Sequence, residues 1–414
     1  MKKKIPQNYL LAGMIFISMG FTSALQADQL SALRAGDLVP TQVGPVDWVT
    51  PLQNNSHEAV SFSWPVTNVL DSKLSRTPYV GKSRGYWMRV TDNELKKGIN
   101  LDTSKPGILV KISPLDGGVG INPNQLEIDD NKGRRFQSTE ALKQVVTAEK
   151  LATAGTPFPK GTSSFRLSAA HGMGRFILRA PNIKSSGKHY HVQVEEDGSD
   201  VVLNLKSDEA SYLYGQNLRI HSRLFDSKGE LQIQNLSGYL YSPAGKSVPL
   251  SFKRNGKGSF TASLVSLEAP ATGTGLLEAH VVAQGLVNGV KVRRNVKTVF
   301  AYTVPQARFS GNVTPINLAD KTLAAALDIE VGHAGRYEVR GVLYGKDRQG
   351  QQSPIMVSST AAWLEAGKGS LNLKFDNTLL SASGLTRPYE VRDLQLLDQS
   401  RMGMLHYQRR GFPF

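Results

Sequence analysis

The sequence predicts an all-β chain of three tandem β domains, the last two immunoglobulin-like sandwiches and the first carrying one short helix. Three observations carry this. From about residue 58 onward, short apolar alternations recur between Gly, Pro, Asn and Asp turns, the period-two pattern of half-buried strands. After "EEDGSD" (195–200), seven such segments fall in roughly 100 residues, the strand density of a sandwich. And 414 residues, 40% of them hydrophobic, exceed what one core holds at ~100–200 residues per domain.

Residues 1–27 read as a signal peptide. Lys2, Lys3 and Lys4 form a positive start, Leu10 to Phe21 an apolar run, and Ala24 and Ala27 offer small residues before a cut. The run is too short to span a bilayer comfortably, and no later stretch approaches one, so no transmembrane segment is expected in the mature chain. The first domain, 28–198, has strand patterns at "SFSW" (61–64), "YWMRV" (86–90), "GILVKI" (107–112), "SFRLSA" (164–169) and "RFILRA" (175–180). "PLDGGVGINPN" (114–124) is a loop dense in turn formers. Leu142, Val145, Val146 and Leu151 stand near helical spacing behind Thr139 and Glu140, which predicts a helix from Thr139 to Ala152.

The second domain, 199–305, runs through "VVLNL" (201–205), "LRIHSRLF" (218–225), "LSGYLYS" (236–242), "VPLSFKR" (248–254), "SFTASLV" (259–265), "LLEAHVVAQ" (276–284) and "VRRNVKTVFAYTV" (292–304). "RNGKGSF" (254–260) fits a hairpin, because Asn-Gly supplies the positive φ angles a tight turn needs. The third, 306–414, holds "ALDIEVG" (326–332), "RYEVRGVLYG" (336–345), "SPIMVSS" (353–359), "SLNLKF" (370–375), "YEVRDLQLLD" (389–398) and "GMLHYQRR" (403–410). "LFDSKG" (224–229) and "LYGKDRQG" (343–350) each end a strand in a charged, Gly-closed turn, a faint repeat consistent with two related domains.

Net charge is +15; removal of residues 1–27 takes three lysines and no acid, leaving 46 basic against 34 acidic residues, +12. Lys and Arg are scattered beside acids with no basic arm, so nucleic acid is not an expected partner. With no cysteine in the chain, thiol catalysis, thiolate metal sites and a cysteine-linked lipid anchor are excluded.

Of the local catalytic signatures, no HExxH and no GxxxxGK[ST] occurs, while GxSxG occurs once, as "GKSRG" (81–85) around Ser83. "EIDDNKG" (127–133) clusters Asp129 and Asp130, a loose calcium candidate, though turns favour Asp and Asn for their own sake. "AAHGMG" (169–174) puts His171 between two strands, where a hairpin turn accounts for it equally well. A serine triad is not excluded, since its members lie far apart in sequence.

"HYHVQVE" (189–195) raises a sharper question. On a strand His189, His191, Gln193 and Glu195 share one face and Tyr190, Val192 and Val194 the other. His-x-His can chelate zinc or copper. Glu195 stands ~13 Å from His191 along the strand, so a third ligand has to come from a neighbouring strand. The plainer reading is a polar outer face over an apolar inner one. His221 beside Arg219 and Arg223, and His280 beside Glu278, fit the same rule. Lys291, Arg293 and Lys297 form a basic stripe that could touch acidic glycan or lipid headgroups; edge-strand lysines that discourage aggregation explain it as well.

The order of "YWMRV…LKKGINLDTSKPGILVKISPL" (86–115), "SSFRLSAAHGMGRFILRAPN" (163–182) and two sandwich-like segments resembles a family of uncharacterised exported proteins from gammaproteobacteria, classed as a domain of unknown function. The resemblance implies a multi-domain β protein, exported and released from the cell in some cases, and supplies no catalytic residues. The last two domains also resemble sandwich modules appended to secreted bacterial proteases, which bind, space or stabilise.

The expected function is that of an exported, non-enzymatic binding or interaction protein of the periplasm or medium, without cofactor. Its partner would be a protein or a cell-envelope or host-surface component, with oligomeric state left open. One alternative is a secreted hydrolase with its site in the first domain, built from His171, Asp116, Asp129 and Asp130. Another is a metal-binding module on His189 and His191.

Overall fold

The computed structural model describes residues 28–43, 56–66, 77–155, 158–243, 245–265, 276–320 and 322–414. The expected signal peptide, residues 1–27, lies outside them. The chain is all-β, built as three pairs of sheets along the sequence.

The first body sets a five-stranded sheet, in the order Gly85–Thr91, His189–Glu195, Leu109–Pro114, Ser163–Leu167, Leu142–Val146, against a four-stranded one of Ile99–Thr103, Gly174–Arg179, Glu127–Asp129 and Arg135–Gln137. Inward-facing Tyr86, Ile112, Phe165, Phe176, Val192 and Leu101 form its core. The strict alternation of burial in His189–Glu195 places the apolar residues inside, as its sequence requires. Thr91 caps a short helix, Asp92–Lys97: its hydroxyl accepts from the Glu94 amide, and the Glu94 carboxylate accepts from the Thr91 amide.

The predicted helix from Thr139 to Ala152 does not form. Two single turns, Ser138–Ala141 and Ala148–Thr153, flank the strand Leu142–Val146. Leu142 pairs opposite Leu167 and Val146 opposite Ser164, so a tertiary partner overrides helical spacing in a segment containing two adjacent β-branched valines.

The second body packs Phe252–Arg254, Ser259–Leu264, Leu218–Asp226, Val202–Ser207 and Gly81–Ser83 against Ser211–Leu213, Val290–Thr303, Leu277–Val287, Gln232–Tyr241 and Ser247–Pro249. A hairpin forms at 254–260, with Arg254 opposite Phe260 and the Asn255 amide donating to Ser259 O at 2.9 Å, but neither Asn255 nor Gly256 takes a positive φ, so its turn is not the tight Asn-Gly type expected. Val290–Thr303 lies between Ser211–Leu213 and Leu277–Val287. Ser211–Leu213 meets it only at 301–303, so Lys291, Arg293 and Lys297 pair on one side alone, with Leu277–Val287, and lie along an edge of the ladder.

The third body packs Asp28–Gln29, Ala307–Asn317, Leu323–Val331 and Gly367–Lys374 against Val60–Pro65, Gln352–Leu364, Gly335–Lys346, Thr386–Asp398 and Gly403–Pro413. Ala307–Asn317 went unread in the sequence because Ser310, Gly311 and Asn312 interrupt its alternation; a register shift between Phe309 and Val313 accommodates them as a bulge.

Sheet membership corrects the start of the first domain. Asp28–Gln29 and Val60–Pro65, expected within 28–198, extend the two sheets of the third body, and Gly81–Ser83 extends the second. Between them Leu38 exchanges hydrogen bonds of 2.9 and 2.8 Å with Tyr407 and packs with Leu213. The chain therefore straps its third and second bodies before building its first.

Candidate functional site

The outer face of His189–Glu195 meets Gly85–Thr91 on one side and Leu109–Pro114 on the other. His191 lies opposite Arg89 and Ser113, and His189 opposite Thr91. Neither neighbouring strand sets a carboxylate or imidazole beside His191. Burial pushes its pKa below the usual imidazole value. His189 does gain a carboxylate, from the turn after Leu109–Pro114: its Nδ1 stands 3.0 Å from Asp116 Oδ2, which also takes a hydrogen bond from Arg89 at 3.2 Å. Asp116 adopts φ +52°, a turn conformation Asp tolerates. Among the described residues no three His, Asp or Glu side chains gather closely enough to hold a metal ion. The arrangement docks a loop onto a strand. Glu195, the far member of the motif, accepts from Lys111 at 2.9 Å and Gln193 at 2.7 Å.

That docked loop walls a cavity. Gly117, Gly118, Val119, Gly120 and Ile121 face Ala180, Ile183 and Tyr190 across about 410 Å³. Asn122, Gln125, Asn182, Lys184, Ser186 and Lys188 supply its polar groups. The Tyr190 hydroxyl donates to Val119 O at 3.0 Å and fixes the loop from below, while Val119 itself is 80% exposed at the rim. The opposite wall is held by Asp92, whose Oδ2 accepts from the Ser186 amide at 2.6 Å and the Lys188 amide at 3.1 Å; these bonds hold its pKa below the usual carboxylate value. The same loop backs a second cavity of about 300 Å³ toward Thr147 and Lys160. There a Cβ on Gly120 would sit 2.8 Å from Gly161 O, so two glycine backbones touch and set the partition between the cavities.

The remaining candidates fall elsewhere. Asp129 accepts from Arg135 at 2.9 Å and also from Arg179. Asp130 accepts from the Lys132 and Arg134 amides at 2.8 and 3.0 Å and from Arg134 Nε at 2.8 Å. Burial opposes ionisation of both, and the arginine and amide bonds overcome it, so both pKa values are lowered. Their oxygens are committed to arginines and amides, which removes the calcium reading of this turn. His171 closes a turn with its ring 4.4 Å from Phe136 and its Nε2 buried without a partner. Among the described residues no hydrogen bond joins any two of His171, Asp116, Asp129 and Asp130: Asp116 is bonded to His189 and Arg89, and Asp129 and Asp130 to arginines and amides. His221 pairs with Asp208 at 2.5 Å and His280 with Glu278 at 2.7 Å. Of the basic stripe, Lys297 pairs with Glu278 at 3.2 Å, and the Arg293 guanidinium lies 5.7 Å above the Tyr86 ring of the first body.

Sequence reasoning missed the junction between the first two bodies. Glu196 and Arg294 form an ion pair with both side chains 0% exposed. The signal was present: Val292, Arg294, Val296, Thr298 and Phe300 alternate on the buried face, and an arginine on such a face demands a buried acid. "EEDGSD", the segment between the first two bodies, is pinned: Arg84 donates to Ser199 O at 2.8 Å and Lys105 to Asp197 O at 2.6 Å.

Three β bodies joined by such contacts define a multi-domain, all-β protein of sandwich-like architecture. The chain belongs to the DUF4785 family of domains of unknown function: its N-terminal domain model matches residues 51–196, its central domain model 199–303 and its C-terminal domain model 306–413. A crystal structure of a DUF4785 family protein from Legionella pneumophila is similar at 23% identity and TM-score 0.74, covering 91% of this chain and 98% of that one. That likeness shows the fold. The native conformation of Escherichia coli alpha-2-macroglobulin aligns at 11% identity and TM-score 0.20, over 84% of this chain and 23% of that one. No curated protein matches the chain. Among the described residues no helix is long and apolar enough to cross a membrane.

Proposed function

We propose that this is an exported, non-enzymatic binding protein whose ligand seat is the cavity beneath the 117–122 loop, with the two sandwiches as its support. The observation that carries the reading is the cavity itself. Its volume of about 410 Å³ falls in the range of small-ligand sites, ~300–1,000 Å³, and its apolar walls carry a few convergent amide and lysine groups. Its serine, Ser186, bonds a carboxylate, Asp92, whose lowered pKa makes it a poor base. Export is supported by Lys2–Lys4, the apolar run and Ala27. The partner is a small molecule or a protruding group of a protein or cell-envelope component.

Chemical-shift mapping of the mature protein against a fragment set tests the seat. Perturbations gathered on 117–125 and 180–190 support it, and perturbations confined to other surfaces reject it. A turnover screen for proteolysis and glycan hydrolysis, with activity abolished by one point change, would reject the non-enzymatic reading. Fractionation of producing cells tests export.

A further inference from the structure

Gly85–Thr91 is the outermost strand of its sheet, and its free side faces the second body across a cleft of about 700 Å³. Trp87, Met88, Arg89, Lys97 and Asn100 line it from the first body and Arg293 from the second. The units are held at this spacing by Asn295, whose Nδ2 donates to Trp87 O at 2.8 Å, so the cleft is pre-formed.

Its charge is one-sided. Three cations line it against one carboxylate, Glu94, and Glu94 Oε2 is spent on the helix cap, accepting from the Thr91 amide at 2.7 Å and the Thr91 hydroxyl at 2.9 Å. Arg89 holds Asp116 by one bond between groups more than half exposed to water, a contact that competes weakly with a ligand. Arg293 is the telling residue. Its Nε is shut away from water without any hydrogen-bond partner. Its guanidinium lies 5.7 Å over the Tyr86 ring at the wall of the cleft, so a ligand there meets the charge of Arg293 rather than that closed-off N–H. Beside it Trp87 offers an apolar flat surface and Asn100 an exposed amide.

We infer that this inter-domain cleft binds an acidic saccharide. Its carboxylate or phosphate sits between Arg293 and Lys97, its ring lies against Trp87, and its hydroxyls meet Asn100. The planar fork of arginine suits either oxyanion. The site is distinct from the cavity under the 117–122 loop, so it stands or falls independently of the ligand assigned there.

Calorimetric titration of the full mature protein with trigalacturonate, glucose 6-phosphate, maltotriose and a short polyglutamate tests it. Binding of one or both anionic sugars, absent for maltotriose and weakened by raising salt from about 20 to about 200 mM, is expected. The preferred anion distinguishes a uronate from a sugar phosphate. Lys97→Gln and Arg293→Gln each lower the affinity about tenfold or more, in line with loss of a charge-assisted bond. Lys97 is exposed, so its variant keeps the test valid if Arg293→Gln fails to fold. Equal binding of maltotriose, binding of polyglutamate alone, no binding, or an unchanged affinity in Lys97→Gln overturns the inference.

Discussion

Arg294 grips Glu196 across the junction of the first two bodies, with NH1 donating to Oε1 at 3.0 Å and NH2 to Oε2 at 2.8 Å. Around them Ser104 donates to the same carboxylate through its amide and hydroxyl, and Arg294 reaches Val201 O at 3.1 Å and Ser199 Oγ at 3.2 Å. Every charged atom of the pair is met inside the protein, which is the condition under which a buried ion pair is tolerated.

Breaking that pair by one side should be severe. Arg294→Met leaves the Glu196 carboxylate buried without its counter-charge, at a cost of ~3–5 kcal/mol. Glu196→Gln should be milder, since the amide keeps an oxygen for Arg294. The double change Arg294→Met with Glu196→Leu should recover much of the loss. Denaturant melts of the three variants check the order; an additive double variant would contradict it. Limited proteolysis should show new cleavage near 197–200 in Arg294→Met only.

His406 gives the third body a pH dependence. Burial pushes its pKa down from 6.5 to about 4 against the raising effects of Gln408 and Asp37, and its ring sits 4.8 Å from Phe309. The folded pKa lies below the unfolded one. Between about pH 6.5 and 4 the unfolded chain therefore binds a proton that the native one refuses, and stability falls as pH falls through that window by up to ~3 kcal/mol. Denaturant melts from pH 7 to 4.5 should show the slope, and His406→Gln should flatten it. An unchanged slope in the variant assigns the effect to other groups.

Leu38 should act far from its own neighbourhood in sequence. It is buried with Leu213 of the second body and Tyr407 of the third. Leu38→Ala should cost ~2–5 kcal/mol, the range for a core leucine. Hydrogen exchange should accelerate first along Gly403–Pro413, while Gly85–Thr91 and His189–Glu195 keep their protection. Uniform acceleration over the whole chain would show that the strap is not local to the later bodies.

Gly161 has φ +85°, and a Cβ there would approach Pro114 Cγ to 2.8 Å. Gly161→Ala should cost ~1–2 kcal/mol for the left-handed backbone alone. It should also move amide signals of the facing 114–122 segment and weaken whatever the adjoining cavity binds. Signals confined to 158–163 would mean that the two loops do not share a wall.

Strand existence was legible because alternation survives translation into packing: Tyr190, Val192 and Val194 are buried as their spacing demands. The failures have separate causes. Leu142 to Val146 carried helical spacing, yet its partner strand at Ser163–Leu167 decided the outcome, and a pairing partner cannot be read from a local window. Val60–Pro65 was read as a strand but assigned to the wrong body, since nothing in "SFSW" names Gln352–Leu364 as its neighbour. The site was legible in part. His189 and Asp116 were both singled out and do meet, but as a loop anchor. Arg293 was noticed for its charge, and what gives it meaning, its place over Tyr86 at the wall of an inter-domain cleft, exists only in three dimensions.

The strap also sets a clock on synthesis. Ser61 and Thr360, bonded at 2.9 Å in the finished sheet, are 299 positions apart. At ~5–20 residues per second, Val60–Pro65 waits roughly 15–60 s for the strand it will join. Through that interval a segment bearing Phe62 and Trp64 has no sheet to occupy, and the closing entropy of a very long loop remains to be met. The last body is thus completed by some of the earliest-made residues. Its assembly rate depends on how well the cell keeps those two aromatic rings from finding another edge.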